Sequence, residues 1–271
     1  MYELSRTVRF CISLDGRHLR DASKKANTYA AWPSSDHLAA YFELTVACRT
    51  TVDPVTGYMM NISEIDRAVR DHAIPRIERA VAERRSTRPA QLLPDLVDCL
   101  RTALNDSVCA VSWHLTPFHA IRIDVNAMDR YLVTQQFSFA AAHRLHCSSM
   151  SEDENRRTFG KCNNPNGHGH NYRLEVAVSQ PIPGADSAPR LPLPELEHLV
   201  DEHVVQRFDH THLNLDTAEF ADLNPSVEHI AKICHDLLRD PIASAGGRLE
   251  RITVWETEKT SCTYPVPGPA R

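Results

Sequence analysis

The chain has 271 residues, 42% of them hydrophobic, with a formal charge of -5 and a pI near 6.3. That length can bury a substantial core and favours two domains. The acidic balance excludes the basic footprint of proteins that track nucleic-acid phosphates, and no run of about 18 apolar residues is present to span a membrane as a helix. A small molecule or a protein is therefore the expected partner. The opening MYELSRTVRF lacks the basic-then-apolar order of a secretory signal. Eight cysteines (11, 48, 99, 109, 147, 162, 234 and 262) occur without Cys-x-x-Cys pairs, in a chain too large to need a disulfide framework. The expectation is a cytoplasmic chain whose thiols are reduced and mostly buried.

The first expected strand is TVRFCISLD, beginning at Thr7, and the second is FELTVACR, Phe42 to Arg49, which alternates apolar and polar residues with period two. Two helical patterns follow: SEIDRAVRDHAIPRIERAV from Ser63 and, after STRPAQLLP, DLVDCLRTAL from Asp95. The extended stretch SVCAVSWHLTPFHAIRI closes this half, and a boundary near Asn126 to Arg130 gives domains 1–126 and 127–271.

The second half repeats the order. YLVTQQFSFAAAH begins at Tyr131, and YRLEVAVS, Tyr172 to Ser179, alternates like its counterpart. A helix with Pro194 at its first position carries Leu196, Leu199, Val200 and Val204 on one face. The next takes Asn224 as N-cap and Pro225 as first residue, with Val227, Ile230, Ala231, Cys234, Leu237 and Leu238 as its stripe. LERITVWET and SCTYPV end it. Strand, strand, helix, helix, strand, strand thus occurs twice. The fold class is α+β: two tandem ββααββ units, each with helices on one face of an antiparallel sheet.

Ten of the fifteen histidines fall between His143 and His235. Laying Phe42 on Tyr172 sets Leu38 and Ala40 against His168 and His170, and laying Phe10 on Phe137 brings Gly16 near His143. Residues two apart on a strand share a face, so His168 and His170 can grip one ion, with His143 from a neighbouring strand. Three imidazoles and an open position make the pattern of a catalytic zinc. A His-x-His pair alone is common, and His146, His198, His203, His229 and His235 read as ordinary surface or helix residues. Cys162 stands among Lys161, Asn163, Asn164 and Asn166, surroundings too polar for a core thiol; near a metal and a cation it can act as base or nucleophile. Asp209 beside His210 is either an oriented acid–base pair or a turn element. Glu256 shares a strand face with Ile252 and Val254, an unfavourable place for a carboxylate without a partner. Glu228 lies in the first turn of a helix, where it complements the dipole.

With these residues in place, 131–265 is identified as resembling the 6-pyruvoyl-tetrahydropterin synthase family. FSFAAAHRL resembles the family's Phe-Ser-Ala-x-His-Arg-Leu segment, FGKCNNPNGHGHNY its animal-type zinc loop, and Asp209-His210, Glu228 and TVWET follow in family order. The first half resembles the family more faintly, in DPVTGYMMNISEID. The resemblance implies the T-fold, or tunnelling fold, whose sheets form a barrel on oligomerisation. It implies Zn2+ on His143, His168 and His170, Cys162 as general base, Asp209, His210 and Glu256 as a proton relay, and Glu228 as the pterin anchor. The implied reaction converts 7,8-dihydroneopterin triphosphate to 6-pyruvoyl-tetrahydropterin with loss of triphosphate and no external redox cofactor. It also implies a homo-oligomer, a trimer of tandem chains supplying the family's usual six units, with the first half as scaffold.

Two features depart from, or discriminate within, that pattern. The threonines the family often has before the anchor acid are here Ser226 and Val227. Five residues, Asn163 to Gly167, separate Cys162 from His-Gly-His; the related 6-carboxy-tetrahydropterin synthase of the queuosine pathway typically has three, which favours the pyruvoyl enzyme. A non-catalytic pterin- or zinc-binding homologue is the third reading. The joint retention of Cys162, Asp209, His210, Glu228 and Glu256 stands against it.

Overall fold

The computed structural model describes residues 1–13, 38–83, 88–184 and 189–266; Gly16 lies outside them. The chain divides into two compact units, Met1–Val133 with Pro181–Ala188, and Thr134–Gln180 with Pro189–Arg271.

The first unit holds β1 (Tyr2–Ser13), β2 (Ala39–Thr50), α1 (Ile62–Ala68), α2 (Ile74–Ala82), α3 (Pro89–Ala103), β3 (Val108–Thr116) and β4 (His119–Asp124). Its strands pair antiparallel in the order β1-β2-β3-β4. Period-two alternation puts Phe10, Leu44, Trp113 and Ile121 on one buried face. The helices contribute Ile65, Ile77, Leu93, Leu96 and Leu100 to the buried set. Helices α1 and α2 form one run widened by a π-type turn at Val69–Ala73. There Pro75 has no N–H to give to the preceding turn.

Helix α3 starts six residues before its expected beginning and contains Pro94. An interior proline costs about 3 kcal/mol. Burying Leu93, Leu96, Val97 and Leu100, at roughly 1.5–3 kcal/mol each, outweighs it.

The second unit contains most of β5 (Arg130–His143), α4 (Glu152–Phe159), nearly all of β6 (His168–Pro181), α5 (Leu193–Val200), α6 (Gln206–Phe208), β7 (Thr211–His212), α7 (Leu213–Asp216), α8 (Val227–Ser244), β8 (Arg248–Thr257) and β9 (Thr260–Tyr264). The strand order is β5-β6-β8-β9, with the short β7 alongside the end of β5. The irregularities of the first unit recur. A π-type turn at Asp201–Val205 interrupts the α5–α6 helix, and the register shifts at Ala177/Val178 and Trp255/Thr257 answer those at Ala47/Cys48 and His114/Thr116.

Three expectations need correction. Helix α8 is capped by Ser226, not Asn224, because Asn224 and Pro225 turn their polar groups to other partners, described below. Pro194 is the second residue of α5, whose cap is Pro192. None of the eight cysteines is disulfide-bonded, but only Cys11, Cys48 and Cys234 are buried; the others are half-exposed. Among the described residues no helix is long and apolar enough to cross a membrane.

Candidate metal centre

The buried face of the second sheet changes character at one end. On β6 the inward series runs upward from Leu174 and Tyr172 to His170 and His168; on β5, from Phe139 and Ala141 to His143; on β8, from Ile252 and Val254 to Glu256. Because β5 ends where β6 begins, the three imidazoles meet. Glu256 is the extra residue of the bulge between Trp255 and Thr257, a device that re-aims a side chain.

The four ligand atoms lie within 4.8 Å of one another. His143 Nε2 is 3.1 Å from His168 Nε2 and 3.2 Å from Glu256 Oε1, and His170 Nε2 is 3.5 Å from Glu256 Oε1. A tetrahedral ion with bonds of about 2.0–2.1 Å sets its ligand atoms about 3.4 Å apart, so this group fits a metal. His143 Nδ1 donates to the carbonyl of Pro225 at 2.7 Å, which turns Nε2 toward the cluster. Burial pushes the pKa of His168 and His170 down, favouring the neutral, ligating form. The His143 ring, its Nε2 3.2 Å from Glu256 Oε1, holds that carboxylate below its usual range against the opposing effect of burial. Glu256, expected in the proton relay, is thus also placed as a possible fourth ligand.

The segment after His143, Arg144–Cys147, forms no strand or helix, and asparagine side chains take up its backbone groups. Arg144 N donates to Asn214 Oδ1 (2.8 Å), and Asn214 Nδ2 returns a bond to Arg144 O (3.0 Å). Asn163 Nδ2 donates to Leu145 O (2.7 Å), while Leu145 N donates to Cys162 O (2.9 Å). His146 N donates to Asn224 Oδ1 (3.1 Å), and Cys147 N to Asn155 Oδ1 (2.7 Å). This clamp ties a metal-ligand strand to the Cys162 loop and to the start of α8. Asn155 is fully buried and also donates to Cys147 O at 2.9 Å. Asn155→Ala strands these backbone groups, and a loss of about 3 kcal/mol is expected in denaturant unfolding.

Gly167 stands between the loop and its neighbours with φ +72; a Cβ there would lie 2.6 Å from His212 Nε2 and 3.0 Å from His143 O. Gly167→Ala therefore combines backbone strain with overlap against a ligand residue's own carbonyl. It should cost about 3 kcal/mol in unfolding experiments and weaken metal binding in a chelator-competition titration.

Cys162 is half-exposed in the turn Gly160–Asn163 that follows α4. Glu228 lies in the first turn of α8, where a hydrogen bond from Ser226 and the helix backbone keeps its pKa low; Glu256 is near enough to oppose that shift. Cys162 and Glu256 both act on the phenol of Tyr172. Of the expected site residues, only Glu256 joins the histidines in one group of potential ligands.

Asp209 and His210 form a separate arrangement. Asp209 Oδ2 accepts from His210 Nδ1 at 2.6 Å, and its Oδ1 accepts from Ala140 N at 2.7 Å. His210 adopts φ 59 and donates its own N–H to Ala140 O. The carboxylate, its pKa lowered by these bonds, orients an imidazole that is 84% exposed. The adjoining groove is lined by Ala140, Ala141, Ala142, Gly169, His170 and Asn171 together with His210, Thr211 and His212. The groove beside the pair thus includes the cluster residue His170.

The first unit has no such cluster at the corresponding described positions. Leu44 pairs with Trp113 as Leu174 pairs with Val254, so Leu38, Ala40 and Leu115 stand where the second unit has His168, His170 and Glu256. Sequence reasoning missed α4 and the asparagine clamp. The Ser151-x-x-Glu154 capping box, with both reciprocal bonds formed, was the available signal for α4.

A family model described as 6-pyruvoyl tetrahydropterin synthase matches residues 132–266. The 6-pyruvoyl tetrahydrobiopterin synthase of Homo sapiens is 37% identical over 132 residues, covering 49% of this chain and 89% of that protein. The protein of the same name from Drosophila melanogaster is 34% identical over 137 residues, covering 51% and 80%. Among solved structures, Caenorhabditis elegans 6-pyruvoyl tetrahydropterin synthase aligns with a TM-score of 0.47 at 32% identity, covering 50% of this chain and 94% of that one.

Proposed function

The chain belongs to the 6-pyruvoyl tetrahydropterin synthase family, and from that premise we propose that its second unit converts 7,8-dihydroneopterin triphosphate to 6-pyruvoyl-tetrahydropterin with elimination of triphosphate. This makes it a carbon–oxygen lyase of tetrahydrobiopterin biosynthesis, acting in the cytoplasm. The observation that carries the reading is the meeting of His143, His168, His170 and Glu256 at one end of the sheet, within the segment matched to the family.

In this reading His143, His168 and His170 hold Zn2+, which when bound polarises the oxygens of the substrate's side chain. Cys162 is the base that removes a proton from the side-chain carbon. Glu228, kept ionised at the start of α8, accepts from the donor edge of the pterin, an amino group and the adjacent ring N–H, in bidentate fashion. Glu256 accepts and returns protons beside the imidazoles. Asp209 fixes His210 so that its Nε2 is free to exchange a proton.

That imidazole is largely exposed, and in this reading the relay is completed against another unit's site in a homo-oligomer. A trimer of tandem chains would supply six units. Residues 1–126 then serve as a scaffold derived from the same unit, and 127–271 as the catalytic unit. The shared π-type turns and register shifts support that descent.

The test is triphosphate release from 7,8-dihydroneopterin triphosphate by the zinc-loaded protein. The reading expects multiple turnovers that stop when the metal is chelated; absence of released triphosphate would sink it.

A further inference from the structure

Among the buried polar groups of the second unit that lack a partner within the described residues, one is neither an imidazole nor a long side chain. Tyr172 is fully buried, yet its hydroxyl makes no hydrogen bond among the described residues. The ring is held by Phe139, stacked with centroids 5.0 Å apart, and by His170 and His143, edge-on at 5.6 and 6.1 Å. A phenylalanine would keep these ring contacts and remove the unfavourable burial of an unpaired hydroxyl.

The first unit shows that substitution. Phe42 occupies the register position of Tyr172, packs against Phe10 with centroids 5.8 Å apart, and sits in the unit where leucine and alanine replace the metal-site residues. The hydroxyl therefore accompanies the imidazoles. The groups that act on it electrostatically, Glu256 and Cys162, belong to the same site.

We propose that the Tyr172 hydroxyl is a further catalytic donor, held unpaired in the resting site to hydrogen-bond an oxygen of the substrate's hydroxylated side chain as that oxygen gains negative charge. The proposal rests on the pterin-synthase reading for the substrate's identity. The phenol keeps its proton throughout, so no bond to Tyr172 forms or breaks. A preorganised donor of this kind strengthens as charge develops, which lowers the barrier more than it tightens the ground-state complex.

The experiment compares Tyr172→Phe with the unaltered full chain, both zinc-loaded. The expected result is a kcat lower by about 100-fold with little change in KM, a Tm higher by about 2–4 °C, and unchanged zinc affinity by chelator competition. Binding of 7,8-dihydroneopterin, read by calorimetry, should weaken only about 2-fold, as KM does. A variant that keeps both kcat and 7,8-dihydroneopterin affinity overturns the proposal. So does a parallel fall in Tm, zinc affinity and kcat, which would make the hydroxyl structural. If the unaltered protein releases no triphosphate, the enzymatic reading fails by itself, and the calorimetric comparison still decides whether the hydroxyl meets a pterin side chain.

Discussion

His143→Ala will abolish tight metal binding. His143 is the fully buried member of the cluster, and it alone is anchored through Nδ1 to the start of α8, by the bond to Pro225 O. Removing a partner that merely orients a ligand typically lowers metal affinity 10–100-fold. Removing the ligand itself should exceed roughly 100-fold, and it also leaves the Pro225 carbonyl without its donor. Zinc affinity from competition with a chromophoric chelator checks this. An affinity within a few-fold of the unaltered protein would mean that the ion sits elsewhere. Leu38→His with Ala40→His in the first unit is the complementary comparison: two imidazoles with leucine, at Leu115, in place of the carboxylate should bind far more weakly.

Cys162→Ala should lower kcat by about 100- to 10,000-fold, the usual range for loss of a positioned general base, while zinc affinity and stability stay near their starting values. The separation is expected because the Cys162 contact that supports the fold is its backbone carbonyl, which accepts from Leu145 N and survives the substitution. Triphosphate release in the steady state measures the effect. Unchanged release would remove Cys162 from the reaction.

Much of the fold was legible because its physics is local. FELTVACR and YRLEVAVS alternate with period two, and each became a strand whose alternate residues are buried, although Ala47, Ala177 and Ser179 on the other face are buried as well. The stripe of α8 from Val227 to Leu238 was readable for the same reason, apart from Leu237, which is only half-buried. Within the site, spacing placed His168 and His170 on one strand face and His143 at the end of a neighbouring strand, and the family resemblance made one group of the three.

What escaped was set by contacts between residues far apart in the chain. Asn224 looks like a helix cap by composition, but its side chain serves His146 N and its carbonyl His229 Nδ1, leaving Ser226 to cap α8. Asn155, Asn163 and Asn214 read as loop polarity, since nothing local shows that each clamps a backbone 8 to 70 residues away. The bulge that brings Glu256 beside the imidazoles depends on pairing between β8 and β9, which period-two alternation does not report. Helix α3 ran through Pro94 because its buried leucines outweigh one missing hydrogen bond.

The most direct test of the central claim is the mass of the organic product formed from 7,8-dihydroneopterin triphosphate by the zinc-loaded protein. The account predicts 6-pyruvoyl-tetrahydropterin, released with triphosphate. A 6-carboxy-tetrahydropterin product, or recovery of the substrate unchanged, would contradict it.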